Sequence, residues 1–375
     1  MTTPDISAPR RGFRLPFRLR LEQRTNIPNW LPVVTSIGAV IVALIIGAII
    51  LWAAGGNPIR SYSHIVRAAF GNVGVFNDTL VKASPLILTG LACALAFRMR
   101  LWNIGAEGQL YLGAWGASAV VLLPILPETA PIWIMIPAMM LAGFAAGALW
   151  GLIPGYLKAK LNVNEIITTL MLNYIAVSWN NYWIFSHWSE SGFQMSPTFG
   201  KNAWLPRLAD YAKEVPFFSG LTLHLGIVFA LVAVVIVWLI LYRSRWGYEI
   251  RLIGDNPNAA KYAGINIVRS TVLVMMLSGG LAGLAGMAEI SGVVHRFQEQ
   301  ISADFGFTGI IIAWLAKLNP FAVVLVSILF GGLILAGREI QPAGIPLMLQ
   351  GIILFSIISS EMLVRYRIAI RRQEA

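Results

Sequence analysis

Between residues 33 and 363 the chain alternates long apolar runs with short polar breaks, the pattern of helices that face lipid rather than of amphipathic soluble ones. Ten segments stand out: 33–53, 84–98, 103–123, 131–157, 163–186, 221–242, 271–291, 304–317, 320–337 and 343–363. A helix crosses a bilayer with about 20 apolar residues, and discontinuous helices do so in shorter pieces, which accommodates the short second and eighth segments. Some starts are marked: Ser84-Pro85 and Asn319-Pro320 put a capping residue before a first-position proline. The first run exceeds the roughly 7–15 residues of a signal-peptide core, so a retained anchor is expected, with cleavage near Ala53-Ala54 as the alternative. The expected fold is an all-α integral membrane protein of about ten transmembrane helices.

Composition agrees. The 375 residues are 57% hydrophobic and 12% charged, where a soluble domain carries about 25% charge. The net charge of +11 does not point to nucleic acid, because the basic residues lie between apolar runs rather than on one face. Cys93 is the single cysteine, so no internal disulfide forms. Basic residues do set an orientation. With the amino terminus in the cytoplasm, twenty lysines and arginines fall on that side, including Arg10, Arg11, Arg14, Arg18, Arg20 and Arg24. Eight fall opposite: Arg60, Arg67, Lys82, Lys201, Arg207, Lys213, Arg296 and Arg338. Both termini are therefore expected inside, with basic tails at 1–32 and 364–375 around one membrane domain at 33–363. Residues 187–220 form an extracytoplasmic platform, and 244–270 a cytoplasmic loop.

Ionisable groups at membrane depth are costly and attract functional readings. Glu107, Glu165, Glu289 and Glu361 are the carboxylates in or near spans. Asn103 is placed to cap the third span with Glu107 one turn on, and Asn164 the fifth with Glu165 behind it, which is a structural role at helix N-termini. Glu361 reads as an interface residue. Glu289, near the outer end of the seventh span, either pairs with His295 or Arg296 or lines a pathway. Asn173, Tyr174, Gln109 and Tyr111 suit an uncharged ligand that stacks and hydrogen-bonds, or else bond helix to helix. Gly143, Gly147 and Gly151, and likewise Gly279, Gly283 and Gly286, give smooth helix faces for close packing. No GxxxxGK[ST] phosphate loop, metal-ligand spacing or Ser/His/Asp set occurs in the sequence.

One polar stretch sits oddly between two spans. In GDNPNAAKYAGIN (254–266), Asn256 is a helix cap, Pro257 suits the first helical position and Gly264 is a stop signal. The pattern predicts a short bounded helix over Pro257, Asn258, Ala259, Ala260, Lys261, Tyr262 and Ala263.

The run FRMRLWNIGAEGQLYLGAWGA (97–117) resembles the permease subunits of bacterial ATP-driven importers for branched-chain amino acids, simple sugars and nucleosides. LNVNEIITTLMLNYIA (161–176), GDNPNAAKYAGIN with the following LSGGLAGLAGMAE, and FGFTGIIIAWLAKLNP (305–320) are similar to the nucleoside branch. The resemblance covers about residues 80–337. It implies a multi-pass protein of the bacterial inner membrane, with ten spans in two inverted structural halves. Its implied partners are cytoplasmic ATPase subunits holding ATP and Mg, a second and different permease chain, and an extracytoplasmic binding protein of the basic-membrane-protein lipoprotein type. The chain itself would be no enzyme and hold no cofactor or metal. Asn103, Glu107, Gln109, Asn173, Tyr174, Glu289 and Phe307 become candidates for the solute pathway. Residues Asn256 to Gly264 become the helix that couples to the ATPase. A nucleoside is the expected solute, with a sugar, a flavin-like heterocycle or an independent secondary transporter as alternatives.

Overall fold

The structure, a computed structural model, describes residues 17–24, 28, 30–123, 125–337 and 344–372. Contacts divide the chain into two compact units, residues 48–350 and a smaller unit of 1–47 with 351–375. In the smaller unit β1 (Phe17–Gln23) pairs antiparallel with β2 (Tyr366–Arg372), from Phe17 opposite Arg372 to Gln23 opposite Tyr366. FRLRL alternates apolar and basic residues, and in YRIAI large apolar residues alternate with Arg367 and Ala369, the period of a strand. The sequence reading treated them only as basic tails. Arg10, Arg11, Arg14 and Arg338, which entered the orientation count, lie outside the described residues.

The rest is helical: α1 (Leu31–Ala53), α2 (Pro58–Phe70), α3 (Val73–Arg98), α4 (Ala106–Leu122), α5 (Ile132–Leu161), α6 (Glu165–Ser186), α7 (Gly226–Arg243), α8 (Arg245–Asp255), α9 (Pro257–Tyr262), α10 (Ile267–Glu289, continued by a π-helical turn to Val294), α11 (Phe305–Leu315), α12 (Pro320–Ala336) and α13 (Ile345–Arg365). All ten apolar segments coincide with helices. Among the described residues α1, α3, α5, α7, α10 with its π turn, and α13 are long and apolar enough to cross a membrane, while α11 and α12 are shorter apolar helices.

Asparagine starts many of these helices. Asn57, Asn72, Asn164, Asn256, Asn266 and Asn319 each accept backbone N–H groups of the following first turn, removing donors that lipid cannot satisfy. The Asn319-Pro320 start is as expected. Ser84-Pro85 is not a start: Pro85 lies inside α3, which begins at Val73 behind Asn72. The proline deprives one carbonyl of its partner, but Pro85 and its turn are buried among neighbouring helices, a setting in which membrane helices tolerate the break.

α3 is apolar all round and buried along most of its length, the signature of a central helix. Beside it α5 and α10 cross through their glycines. A Cβ on Gly147 would stand 2.3 Å from the Gly279 carbonyl oxygen, and one on Gly283 would stand 2.2 Å from that of Gly143. α4 joins the crossing at Gly113, where a Cβ would lie 2.1 Å from Gly283 Cα.

Two segments interrupt the helical run and place the starts of α4 and α11 inside the bundle. Residues 99–105 connect α3 to α4, and residues 295–304 connect the π turn to α11. Asn103 Nδ2 donates to Ser278 Oγ at 2.9 Å, and that hydroxyl donates to Ala92 O at 2.7 Å. The approach to α4 is thus level with the middle of α10 and the last third of α3, and α4 and α11 begin within the bundle.

Prediction: Gly147→Leu or Gly283→Leu forces α5 and α10 apart and lowers stability by about 1–3 kcal/mol or more. Gly38→Ala, where a Cβ meets no atom within 4 Å, is neutral or slightly stabilising. Detergent melting curves that do not separate the two classes would refute the crossing.

Candidate functional site

The starts of α4 and α11 meet at Glu107. Its carboxylate accepts the Gly306 N–H at 2.7 Å and a hydrogen bond from Ser302, while Ser302 Oγ accepts the Phe305 N–H at 3.0 Å. Glu107 therefore caps the first turn of α11 from outside that helix. The sequence reading gave it that kind of role at its own helix, α4; the fold supplies it to a helix some 200 residues away. Glu107 is buried, and Phe307, a pathway candidate one residue past the contact, is partly exposed.

The mid-span amides are engaged with the protein itself. Asn103 and Gln109 exchange side-chain hydrogen bonds at 2.9 and 3.2 Å, and Asn103 Oδ1 also accepts the Gly105 N–H at 3.0 Å. Asn103 does not cap α4 by itself, because Gly105 occupies the cap position. Asn173 Oδ1 accepts the Gly108 N–H at 2.8 Å and its Nδ2 donates to Ile104 O at 3.0 Å. These three residues tie α4 to α6 and α10, the helix-to-helix reading of the sequence. Tyr174 points the other way and is 65% exposed.

Glu289 pairs with neither His295 nor Arg296. Its Oε1 takes Lys82 Nζ at 3.0 Å, with both side chains buried, and the ammonium lies 5.5 Å from the Phe305 ring centroid. This joins α3 to α10 across 207 positions of sequence, a separation that leaves no local signal. Glu165 pairs with Lys158 at 2.9 Å. Glu361 lies in α13, and its side chain is outside the described residues.

The segment between α6 and α7 docks on the end of α10. Ser196, Phe199 and Leu205 donate backbone N–H groups to Phe297, His295 and Ser291 carbonyls at 2.8–3.0 Å. Arg207 donates to the Gly292 and Val293 carbonyls of the π turn, and His295 stacks on Trp204 with centroids 3.8 Å apart. His224 sits against Gly292, buried. Burial, then the Arg207 guanidinium, pushes His224 down to about 3 and His295 to about 4 from the usual 6.5.

Beside this cap lies a cluster of rings that the sequence reading did not single out. Trp115 of α4, Trp179, Tyr182 and Trp183 of α6, His187, Trp188 and Phe297 form one connected set, with centroid separations of 4.8–6.4 Å. The signal was present: in WNNYW (179–183) the two tryptophans stand four apart, on one face of a helix.

At the opposite end of α7, α8 and α9 form a bent pair. α8 buries Gly247, Ile250, Ile253 and Gly254, and a Cβ on Gly254 would lie 2.2 Å from Arg98 O at the end of α3. α9 has the expected signals in place: Asn256 Oδ1 accepts the Asn258 and Ala259 N–H groups at 3.1 Å, and Gly264 takes φ +75°. Ala260 is buried against the bundle; Asn258, Lys261, Ala263 and Gly264 are exposed, and Tyr262 is 95% exposed.

Residues 75–358 match the family described as branched-chain amino acid transport system / permease component. The chain belongs to this permease family. The permease is 36% identical to a guanosine ABC transporter permease protein of Bacillus subtilis, over 85% of this chain and 90% of that one. It is 34% identical to a nucleoside ABC transporter permease protein of Lactococcus lactis, over 82% and 84%. It is also 34% identical to a glucose ABC transporter permease protein of Haloferax volcanii, over 94% of both chains. Bacillus subtilis and Lactococcus lactis each have a second relative, 27% identical over 68% of this permease and again named as a guanosine or nucleoside ABC transporter permease protein. The permease is a multi-pass membrane protein and a transport subunit rather than an enzyme.

Prediction: Lys82→Met or Glu289→Gln alone strands a buried partner and destabilises the permease by about 3–5 kcal/mol. The double variant Lys82→Met with Glu289→Leu recovers most of the loss. Equal melting losses in single and double variants would exclude the pair. A second expectation concerns pH. The folded state holds His224 and His295 neutral, so their contribution is complete above pH 6.5 and drains away as pH falls toward about 4 and 3. Melting temperature should fall over that window, and less steeply in His224→Gln; identical pH profiles would remove the histidines from the explanation.

Proposed function

We propose that the permease forms the membrane pathway of an ATP-driven importer that moves a nucleoside inward. The observation carrying this reading is the similarity, over most of the chain, to permeases named for guanosine and nucleosides. The glucose permease relative supports a sugar as the second reading. The partners are cytoplasmic ATPase subunits that hold ATP and Mg, an extracytoplasmic solute-binding protein and a second permease chain. That chain is a different one, a view supported by the two relatives found in each of two bacteria. The setting is the bacterial inner membrane, with ten crossings in two inverted halves and both termini inside. The β1–β2 ribbon, which holds the two tails together, favours termini on one side and hence an even number of crossings.

In this orientation α8 and α9 face the cytoplasm, and the exposed side of α9 is the docking surface for an ATPase. Tyr262 is its anchor, a large ring left in the open by a helix whose other side is seated at Ala260. A charge at Ala260 would disturb that seat, so Tyr262 is the position that tests docking.

The test is uptake of guanosine and of glucose into vesicles holding the permease with its ATPase and second permease. Guanosine uptake should require ATP. Tyr262→Asp should leave insertion intact while weakening ATPase docking by about thirtyfold, the weight of a buried aromatic anchor of about 2 kcal/mol. Uptake by the permease alone on a proton or sodium gradient would overturn the importer reading, and full transport by Tyr262→Asp would overturn the docking role.

A further inference from the structure

α2 carries a surface that the transport pathway leaves unused. Its sequence, PIRSYSHIVRAAF, has two arginines and no acidic residue. One side of the helix is seated. Tyr62 and Ile65 pack on Leu51, Ile345 and Leu349, and the buried Ala69 accepts the Thr79 hydroxyl on its carbonyl at 2.7 Å. A Cβ on Gly332 would stand 2.7 Å from that of Ala69. Leu51 is in the last turn of α1, Gly332 is near the end of α12, and Ile345 opens α13. α1 and α13 are long and apolar enough to cross a membrane. α2 therefore lies where spans end, at the level of a bilayer surface.

The exposed half of α2 has two stripes. Arg60, Ser63, His64 and Arg67 follow the i, i+3, i+4, i+7 spacing of one helix face, roughly opposite the seat. With Ile59 they line a cleft of 380 Å³, within the roughly 300–1,000 Å³ of small-molecule sites. Among the described residues no carboxylate answers either guanidinium. About 100° round the helix, Ile59, Val66 and Phe70 form an apolar stripe, with Ile59 81% and Val66 59% exposed. The Phe70 ring meets that of Phe76 with centroids 6.2 Å apart, and Val73 and Phe76 are themselves exposed. The apolar stripe thus runs on to the start of α3.

We propose that this face of α2 binds the headgroup of an anionic phospholipid, with Arg60 and Arg67 holding the phosphate and Ile59, Val66 and Phe70 lying among the acyl chains. A guanidinium presents paired N–H groups that match phosphate oxygens. A helix with a basic and an apolar stripe on its open side lies in the plane of the interface, one stripe toward headgroups and the other toward acyl chains. An acidic protein arriving from water would answer the arginines and leave the apolar stripe uncovered. The lipid boundary answers both, at the depth where the span ends hold α2. In the proposed orientation this is the outer surface, and the site is independent of which solute the pathway carries.

The experiment uses the assembled complex of permease, second permease and ATPase, delipidated in neutral detergent and titrated with phosphatidylglycerol. Native mass spectrometry reads the bound lipid. The tightest-held phosphatidylglycerol should bind saturably, and phosphatidylcholine, without net charge, should not displace it. Arg60→Gln and Arg67→Gln alter exposed side chains, and each should weaken that binding by about fivefold, the weight of one basic residue at an anionic surface. Lys213→Gln removes the same charge from an exposed position elsewhere and should leave binding unchanged. Glycerol phosphate, the headgroup without its chains, should fail to compete; competition as strong as that of the lipid would make this a site for a soluble phosphate and overturn the proposal. Unchanged phosphatidylglycerol binding in the double variant Arg60→Gln with Arg67→Gln would also overturn it. Should that double variant keep its lipid and lose the solute-binding protein instead, the face belongs to a protein partner.

Discussion

The bundle depends on one backbone-to-backbone contact. Where α5 crosses α10, the carbonyls of Gly279 and Gly143 press against Gly147 and Gly283 with no side chain between them. Lipid tails are as apolar as leucine, so helices in a membrane gain little by burying leucine and much by fitting closely. α4 shares the contact through Gly113, and Gly286 meets the Leu110 carbonyl. The azimuth of α4 is thereby set by glycines on one of its faces. What the opposite face presents follows from that: Glu107 toward the start of α11, then Tyr111, then Trp115 toward the rings of α6.

Around this crossing, polar groups divide by whether the protein answers them. Asn103, Gln109, Ser278 and Asn173 form a closed set joining α4 to its neighbours. Glu107 closes the first turn of α11, and Lys82 answers Glu289. In a medium without water each such partner is worth keeping, since an unanswered group costs several kcal/mol. A residue's polarity is thus a poor guide to solute contact here. Atoms whose polarity is left over occur in several places among the described residues: the second oxygen of Glu289, the ring nitrogens of His295, the Ser84, Ser118 and Ser327 hydroxyls, and Trp115, Asn180, Asn181 and Trp183 beside the rings of α6.

This division explains what the sequence disclosed. Local signals were readable: the asparagine caps at 164, 256 and 319, the glycine spacing on α5 and α10, and the bounded helix at Pro257 to Tyr262 all appear where the residues placed them. Signals that need a distant partner were not. The Lys82–Glu289 pair and the service of Glu107 to α11 join positions about 200 apart. Ser84-Pro85 carries the chemistry of a start, and only the buried surroundings of α3 keep the helix going through it. The amides at 109 and 173 do hydrogen-bond helix to helix, and Asn103, read as a cap, bonds Gln109 and Ser278 instead; the sequence does not say with whom.

The contact of Gly254 with the Arg98 carbonyl has a mechanical meaning. It seats α8 directly on the last turn of α3, the helix around which the others are arranged. α3 has 26 residues and so a length of about 39 Å. Treated as a stiff rod held at Gly90, about two-thirds of the way along, where an added Cβ would meet the Val323 and Ile312 side chains at 2.9–3.0 Å, it makes an uneven seesaw. Each degree of tilt imposed at the α8 end then moves the far end by a few tenths of an ångström in the opposite direction. A displacement small enough to leave every helix intact at one end of the rod would therefore register at the other, with Lys82 and its partner Glu289 on the longer arm.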